Sequence, residues 1–337
     1  MKRAPVRLGD LSIGFIQSLN AALRALGHDP SSLLDHYGLD AARLAEPRAR
    51  LSIPRYMRLG HAAIELCGRP DLGLCMAQAS RLNQFGLAGV TAAQAPTVRE
   101  AARALIRFEP LFATNYRGQS SFHEDARGAW LRFHSISPYN DYNRFVVDSV
   151  LLGWLWQLAE VAGEPLTAER IEIEFAAPDY EGRYPPDVHF AHDHNQLRLS
   201  KATLGLRNAQ HCPGTWRQML EICESELANL TRTRSVSERI TQLIGPLLAG
   251  GREPDLQEVA SRLKMPTWTL RRRLTEEGTG FSALLNETRR DLASAYIRDT
   301  SLTFGEIAYL LGFASAEAFQ RAFKRWTGQT PGQFRRA

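Results

Sequence analysis

The stretch Glu258-Val259-Ala260-Ser261-Arg262-Leu263-Lys264-Met265 returns as Glu306-Ile307-Ala308-Tyr309-Leu310-Leu311-Gly312-Phe313, each position displaced by 48. Both copies place a β-branched residue before an alanine, a leucine three positions after that alanine, and an apolar residue two positions further on. Apolar residues three and four apart share one side of a helix. Each copy leads into a second helical stretch, with Leu270 and Leu274 inward in the first and Phe319 and Phe323 inward in the second. The pattern is helix, tight turn, helix, written twice. Such a unit offers one helix end to a major groove, and two in tandem address successive grooves on one face of the duplex. The repeat points to a reader of double-stranded DNA.

Charge agrees with that partner. The chain has 337 residues and a net charge of +5, long enough for two domains with separate cores. Residues 231–337 hold 17 Lys and Arg against 11 Asp and Glu, while the remainder holds 24 against 25. All the excess positive charge therefore lies beside the repeat, where a phosphate backbone is its natural counterpart. An anionic membrane would attract the same charge.

Cys67, Cys75, Cys212 and Cys223 show no C-x-x-C spacing in a chain far larger than disulfide-dense secreted domains, so reduced thiols are expected. Met1-Lys2-Arg3-Ala4-Pro5 is followed by no apolar run, which argues against a secretory signal and for the cytoplasm. Phe145 to Leu158 is almost wholly apolar, but it is shorter than the ~20 residues of a membrane span and includes Asp148. It reads as a buried core helix, and no membrane association is expected.

The first hundred residues carry apolar positions at helical spacing, and Thr97 reads as an N-cap three residues before Glu100. Asn115 to Phe122 and Ala129 to Ile136 alternate around a turn at Glu124 to Gly128, predicting an antiparallel hairpin. Ile171 to Phe175 reads as a strand, and Val188-His189-Phe190 with Leu197-Arg198-Leu199 reads as a further strand pair around Asn195. The fold expected is an α+β N-terminal sensor domain, residues 1–230, and an all-α C-terminal domain, residues 238–337, with two helix-turn-helix units. The polar, basic run Thr231-Arg232-Thr233-Arg234-Ser235 marks a linker over 231–237.

In the first unit Lys264-Met265-Pro266 makes the turn and Thr267 is placed to cap the next helix. With Leu270 and Leu274 on the core, Trp268, Arg271 and Arg272 share the outward stripe. Arginine pairs bidentately with guanine edges, and tryptophan packs on a thymine methyl or a sugar. The plainer reading of Arg271-Arg272-Arg273 is a solvated helix face, but a large aromatic on an exposed first turn is a poor solvent residue. In the second unit Ser315 caps a helix over Ala316 to Thr327, leaving Ala316, Glu317, Gln320, Arg321 and Lys324 outside. Glu317 and Arg321 stand four apart, so they suit pairing with each other, while Glu317 equally suits a cytosine amine.

The segment Ile307-Ala308-Tyr309-Leu310-Leu311-Gly312-Phe313-Ala314-Ser315, followed by Phe319-Gln320-Arg321-Ala322-Phe323-Lys324-Arg325-Trp326-Thr327-Gly328-Gln329-Thr330-Pro331 and Phe334-Arg335, resembles the signature of AraC/XylS-type bacterial transcription regulators. The likeness is dense and covers about residues 238 to 337, including a long helix from about Phe281 to Arg298 that in this family joins the two units rigidly. It implies groove contacts from Trp268, Arg271 and Arg272 and, in the second helix, from Ala316, Glu317 and Arg321. Ala316 and Glu317 depart from the polar, often amide-bearing residues of some members, which implies fewer base contacts and more reliance on phosphates. Upstream, the chain is similar in length and pattern to the arabinose-binding-like effector domain of a subgroup without the small sugar-binding barrel. That likeness rests on the helix-rich start, Phe85-Gly86 and the Ile171 to Phe175 strand. It implies a small-molecule effector, a homodimer, and activation through RNA polymerase.

Tyr139, Tyr142, Arg144, Asp148 and Trp154 concentrate aromatic surface beside two charges and are the candidate effector residues, although such clusters are more often core. His189, His192, Asp193 and His194 include metal-ligand types, but on a strand His189 opposes the other two histidines and no cysteine is adjacent, so surface and turn histidines are the default and no metal or cofactor is expected. There is no G-x-S-x-G, H-E-x-x-H or phosphate-loop motif. The expected function is sequence-specific transcription regulation. The alternative is a DNA-repair or other enzyme carrying an AraC-type DNA-binding domain, which requires a fast-reacting cysteine. An architectural protein without an effector is a third class.

Overall fold

The computed structural model describes residues 9–46, 49–115, 117–135, 139–232, 235–248, 253–299 and 302–336. Two compact units divide the chain, one built from Asp10–Asn115 and Gln119–Ala228 and the other built on Asn229–Ala337.

The first unit is α+β. It opens with β1 (Gly9–Ser12), α1 (Gly14–Ala25), α2 (Ser31–His36), α3 (Ala41–Ala45), β2 (Arg50–Ser52), α4 (Ile53–Cys67), α5 (Leu72–Gln78), α6 (Gly86–Ala93) and α7 (Val98–Arg107). There follow β3 (Ala113–Asn115), β4 (Ser121–Glu124), β5 (Gly128–Phe133), α8 (Arg144–Ala162), β6 (Arg170–Glu172), β7 (Val188–His189), β8 (Asn195–Ser200), α9 (Lys201–Gly205) and α10 (Pro213–Arg232). One sheet has the order β2-β1-β3 and the other β4-β5-β8-β6-β7.

In the larger sheet Leu131 lies opposite Leu197, and Leu197 opposite Ile171, all buried, so one face is apolar across three strands. Helix α8 packs on this sheet and on α5, and is buried nearly all round. At 19 residues it is longer than the apolar run suggested and is apolar enough to cross a membrane, but 72% of its apolar window is buried inside the protein. Burial, not length, makes it a core helix. Close approach depends on glycine: a methyl at Gly60 would lie 2.0 Å from Phe145 Cζ, and one at Gly73 2.7 Å from Phe145 O.

Two strand expectations are corrected. Asn115 to Phe122 is not one strand, because Asn115 ends β3 in the small sheet and Phe122 belongs to β4 in the large one, which pairs with β5 as expected. Val188 and Leu197 do not pair directly, because β6 inserts between them, parallel to β7 and antiparallel to β8. Thr97 does precede α7, but its hydroxyl meets the Glu100 carboxylate and caps no backbone amide.

The second unit is all helix: α11 (Val236–Leu248), α12 (Leu256–Arg262), α13 (Thr267–Glu276), α14 (Phe281–Asp299), α15 (Phe304–Leu310), α16 (Ala316–Thr327) and α17 (Pro331–Arg336). Of the residues assigned to the linker, Thr231 and Arg232 end α10 while Val236 and Ser237 begin α11. Thr233 and Arg234 lie outside the described residues. The start of α11 is capped from a distance, since Glu277 accepts from Val236 N at 2.8 Å and Ser237 N at 2.9 Å. Burial opposes the Glu277 charge, yet these bonds hold its carboxyl below the usual range.

Candidate functional site

The repeat holds at the level of individual hydrogen bonds. Asp255 caps α12 by accepting from Glu258 N at 2.7 Å. Forty-eight residues on, Thr303 caps α15 by accepting from Glu306 N at 3.3 Å, and Glu306 accepts in return from Thr303 N at 2.8 Å. In the first turn Lys264 N donates to Ser261 O at 3.0 Å and Met265 N to Ala260 O at 3.0 Å. In the second, Gly312 N donates to Tyr309 O at 3.0 Å and Phe313 N to Ala308 O at 2.9 Å. Both turns need a left-handed residue, with φ of 66° at Gly312 and 52° at Lys264. Glycine adopts this freely, whereas a lysine there stores roughly 1–3 kcal/mol of strain.

The helices that follow start differently. Ser315 caps α16 by accepting from Ala318 N at 3.2 Å. Thr267 does not cap α13: it is the first helical residue, Pro266 occupies the cap position, and no side chain accepts there. Proline holds φ near −59° and starts the helix one residue earlier than the capping pattern implies.

On α13 Leu270 and Leu274 are buried, and the outward stripe is open: Trp268 is 67% exposed. Arg272 stacks over the Trp268 ring at 5.7 Å and lies 3.5 Å from Glu276. Arg271 is exposed and has no ion-pair partner among the described residues. On α16 Phe319 and Phe323 are buried and Trp326 is half-buried 5.9 Å from Phe313, while Glu317, Gln320, Arg321 and Lys324 are exposed and Ala316 is half-buried. The Ser315 hydroxyl, the local backbone and then Arg321 hold the Glu317 carboxyl below its usual range. No ion pair within 4 Å joins Glu317 to Arg321 among the described residues.

Arg289 on α14 was not singled out in the sequence, and it organises the second unit. It is 5% exposed, donates from Nε to Leu311 O at 2.8 Å and from Nη2 to Gly312 O at 3.1 Å, and lies over the Phe313 ring at 4.8 Å. Its Nη1 reaches Glu253 Oε2 at 3.0 Å, just ahead of α12. One side chain thus ties the second turn to the segment that opens the first helix-turn-helix, within the all-helical unit.

The five effector candidates do not converge. Tyr142 stacks on His61 at 4.0 Å, and Tyr139 donates to Glu174 at 2.6 Å and accepts from Asn195 at 2.7 Å. Arg144 pairs with Asp141 at 3.7 Å. Asp148 is fully buried and accepts from Tyr180 at 2.9 Å and Tyr184 at 2.5 Å, which fastens the 180–184 loop to α8. Trp154 alone lines a cleft that is partly open to solvent, walled also by Phe15, Met57, Phe85, Phe112 and Phe133. His189 and His192 face each other with ring centres 6.0 Å apart, and among the described residues no three His, Cys, Asp or Glu side chains converge as metal ligands.

Asp148 gives a pH test. Burial pushes its carboxyl from 3.8 up to about 7, against the hydrogen bonds from Tyr184 and Tyr180. The folded state therefore keeps a proton that the unfolded chain has released, so this contribution is full below pH 3.8 and declines as pH rises toward 7. Asp148→Asn should flatten the fall of melting temperature over that window; a slope equal to that of the unmodified chain would rule out Asp148 as its source.

A family model described as the arabinose-binding domain of AraC transcription regulator, N-term, matches residues 27–208, and one described as a helix-turn-helix domain matches residues 259–337. The chain belongs to the AraC family of transcription regulators. The ornithine utilization regulator of Pseudomonas aeruginosa is 28% identical over 330 residues, covering 96% of both chains. The HTH-type transcriptional regulator VirS of Mycobacterium tuberculosis is 25% identical over 328 residues, covering 93% of this chain and 92% of its own. Among solved structures, the transcriptional regulator CdpR from Pseudomonas aeruginosa covers 93% of this chain and 97% of its own at 24% identity, with a TM-score of 0.43.

This AraC-family chain is a DNA-binding transcription regulator, with an arabinose-binding-like domain ahead of its helix-turn-helix reader. The enzyme alternative is not favoured, because these relatives are regulators. Its cysteines give that alternative little support: burial pushes the Cys67, Cys75 and Cys223 thiols up, away from the reactive thiolate. Only exposed Cys212 is lowered, by the Thr215 hydroxyl first.

Proposed function

We propose that α13 and α16 enter successive major grooves of one operator, with contacts from Thr267, Trp268, Arg271 and Arg272 in the first helix and Ser315, Ala316, Glu317, Gln320, Arg321 and Lys324 in the second. The observation that carries this reading is the open Trp268, Arg271 and Arg272 stripe on a helix whose opposite side is fully buried. Residues 1–230 sense a small molecule and form a homodimer, 231–237 link the domains, and 238–337 read DNA. Effector binding shifts the population of DNA-competent molecules. The protein acts in the cytoplasm as an activator that touches RNA polymerase.

The test is selection of bound sites from random duplexes by the full chain. Two conserved half-sites about 10 base pairs apart are expected for each bound chain. Recovery of sequences without any shared pattern would instead indicate an architectural protein.

A further inference from the structure

The cleft beside Trp154 has walls that say what it accepts. They are largely apolar, and among the described residues the lining contains one acidic group, Glu109, and no Lys, Arg or His. The Glu109 carboxylate is held by a single residue, accepting from Ser120 N at 2.6 Å and Ser120 Oγ at 2.8 Å. It has no ion pair within 4 Å among the described residues. A second group is Tyr56, which is fully buried and lines the cleft; the nearby Ser149 hydroxyl donates to Val146 O at 3.1 Å, and the Tyr56 hydroxyl makes no hydrogen bond of ordinary geometry. An orphaned buried hydroxyl is costly unless something completes it.

Two further polar groups on the wall are already engaged: Ser18 donates to Gln84 at 2.6 Å, and Gln157 donates to Ser80 at 2.8 Å. A sugar, with hydroxyls all round, would leave several of them unmatched against aromatic and methionine walls. A carboxylate would enter a poorly solvated space facing Glu109 with no cation to offset it. A protonated amine finds an unpaired carboxylate there, and an apolar body fits the rest.

We infer that this cleft is the effector site and that its ligand is a small, mostly apolar molecule bearing one protonated amine and no carboxylate. The inference rests on the reading of the N-terminal domain as a sensor. Burial raises the Glu109 carboxyl from 4.5 to about 7 against the two hydrogen bonds from Ser120, and a cation beside it would favour the ionised form.

Three probes with one aromatic body separate the possibilities in calorimetric titration of the full chain: phenethylamine, phenethyl alcohol and hydrocinnamate. The amine should bind roughly tenfold tighter than the alcohol, and the carboxylate should show no saturable binding. Glu109→Gln keeps an acceptor for Ser120; it should remove the advantage of the amine and leave the alcohol unchanged. Tyr56→Phe should raise the melting temperature of the empty chain while weakening the amine several-fold, a combination that a purely structural tyrosine would not produce.

Hydrocinnamate binding as tightly as the amine, amine binding indifferent to both substitutions, or no binding by any probe would each overturn the inference. Binding to the selected duplex is measured in parallel. Specific DNA binding without amine binding sinks this inference alone, whereas amine binding at the cleft that leaves DNA affinity unchanged sinks the sensor reading and keeps the site.

Discussion

Replacing Arg289 by alanine is expected to destabilise the C-terminal unit by about 3 kcal/mol, the largest loss foreseen for any single side chain there. The estimate comes from what the substitution strands. Leu311 O and Gly312 O lose donors at 2.8 and 3.1 Å, and a buried acceptor left without a partner costs about 1–3 kcal/mol. The guanidinium over Phe313 adds about 1 kcal/mol. The ion pair with Glu253 adds little, because that carboxylate is 63% exposed and well solvated. The terms do not simply add, since water entering the vacated space rehydrates part of the turn.

Guanidinium unfolding of the full chain measures the effect, with Glu253→Gln as control at less than about 1 kcal/mol. Arg289→Lys should recover only part of the loss, because an ammonium cannot span two carbonyls with a fixed fork. A loss from Glu253→Gln equal to that from Arg289→Ala would show the ion pair, not the carbonyl clamp, to be the stabilising element.

Arg289 also shows where sequence reading stops. The repeat was legible because its signals are local: an alanine after a β-branched residue, a leucine three residues on, and an apolar residue two further. Arg289 reaches 22 residues forward to Leu311 and 36 back to Glu253, and its neighbour Arg290 is the same residue type pairing with the adjacent Asp291. Nothing in the spacing distinguishes the two arginines. The large sheet was hidden for the same reason, since placing β6 between β7 and β8 is a non-local choice that strand patterns do not encode.

The effector cluster was chosen by density of aromatic residues along α8, but a helix buried on nearly all sides sends near neighbours in sequence to different places. Asp148 turns to the tyrosines of the 180–184 loop and Trp154, six residues on, to the cleft. The cleft draws its wall from residues between Leu11 and Gln157, on helices and strands of both sheets. Glu109, the acidic group among its described lining residues, stands beside Pro110 just after α7, where its sequence context marks only a helix terminus.

The second large effect is expected in DNA binding. Arg271→Ala should weaken the preferred operator by about 1–3 kcal/mol and relax the preference at the base it reads, because an arginine paired with a guanine edge supplies discrimination of that size. Arg272→Ala should cost less. Arg272 already stacks on Trp268 at 5.7 Å and lies 3.5 Å from Glu276, so its reach to a base requires exchanging those contacts, whereas Arg271 has no ion pair to give up among the described residues. Trp268→Ala should weaken binding and also free Arg272, and therefore couple to Arg272→Ala in a double-mutant cycle while adding simply with Lys324→Ala. Lys324 is exposed on α16, where the proposed role is a phosphate contact. Its alanine variant should weaken all duplexes alike and reduce the slope of log affinity against log salt by about one. Fluorescence anisotropy with the selected operator and a scrambled duplex, across salt concentrations, separates these behaviours. An Arg271→Ala variant with unchanged affinity, or with equal losses on both duplexes, would remove Arg271 from the base-reading surface and leave it a solvated charge.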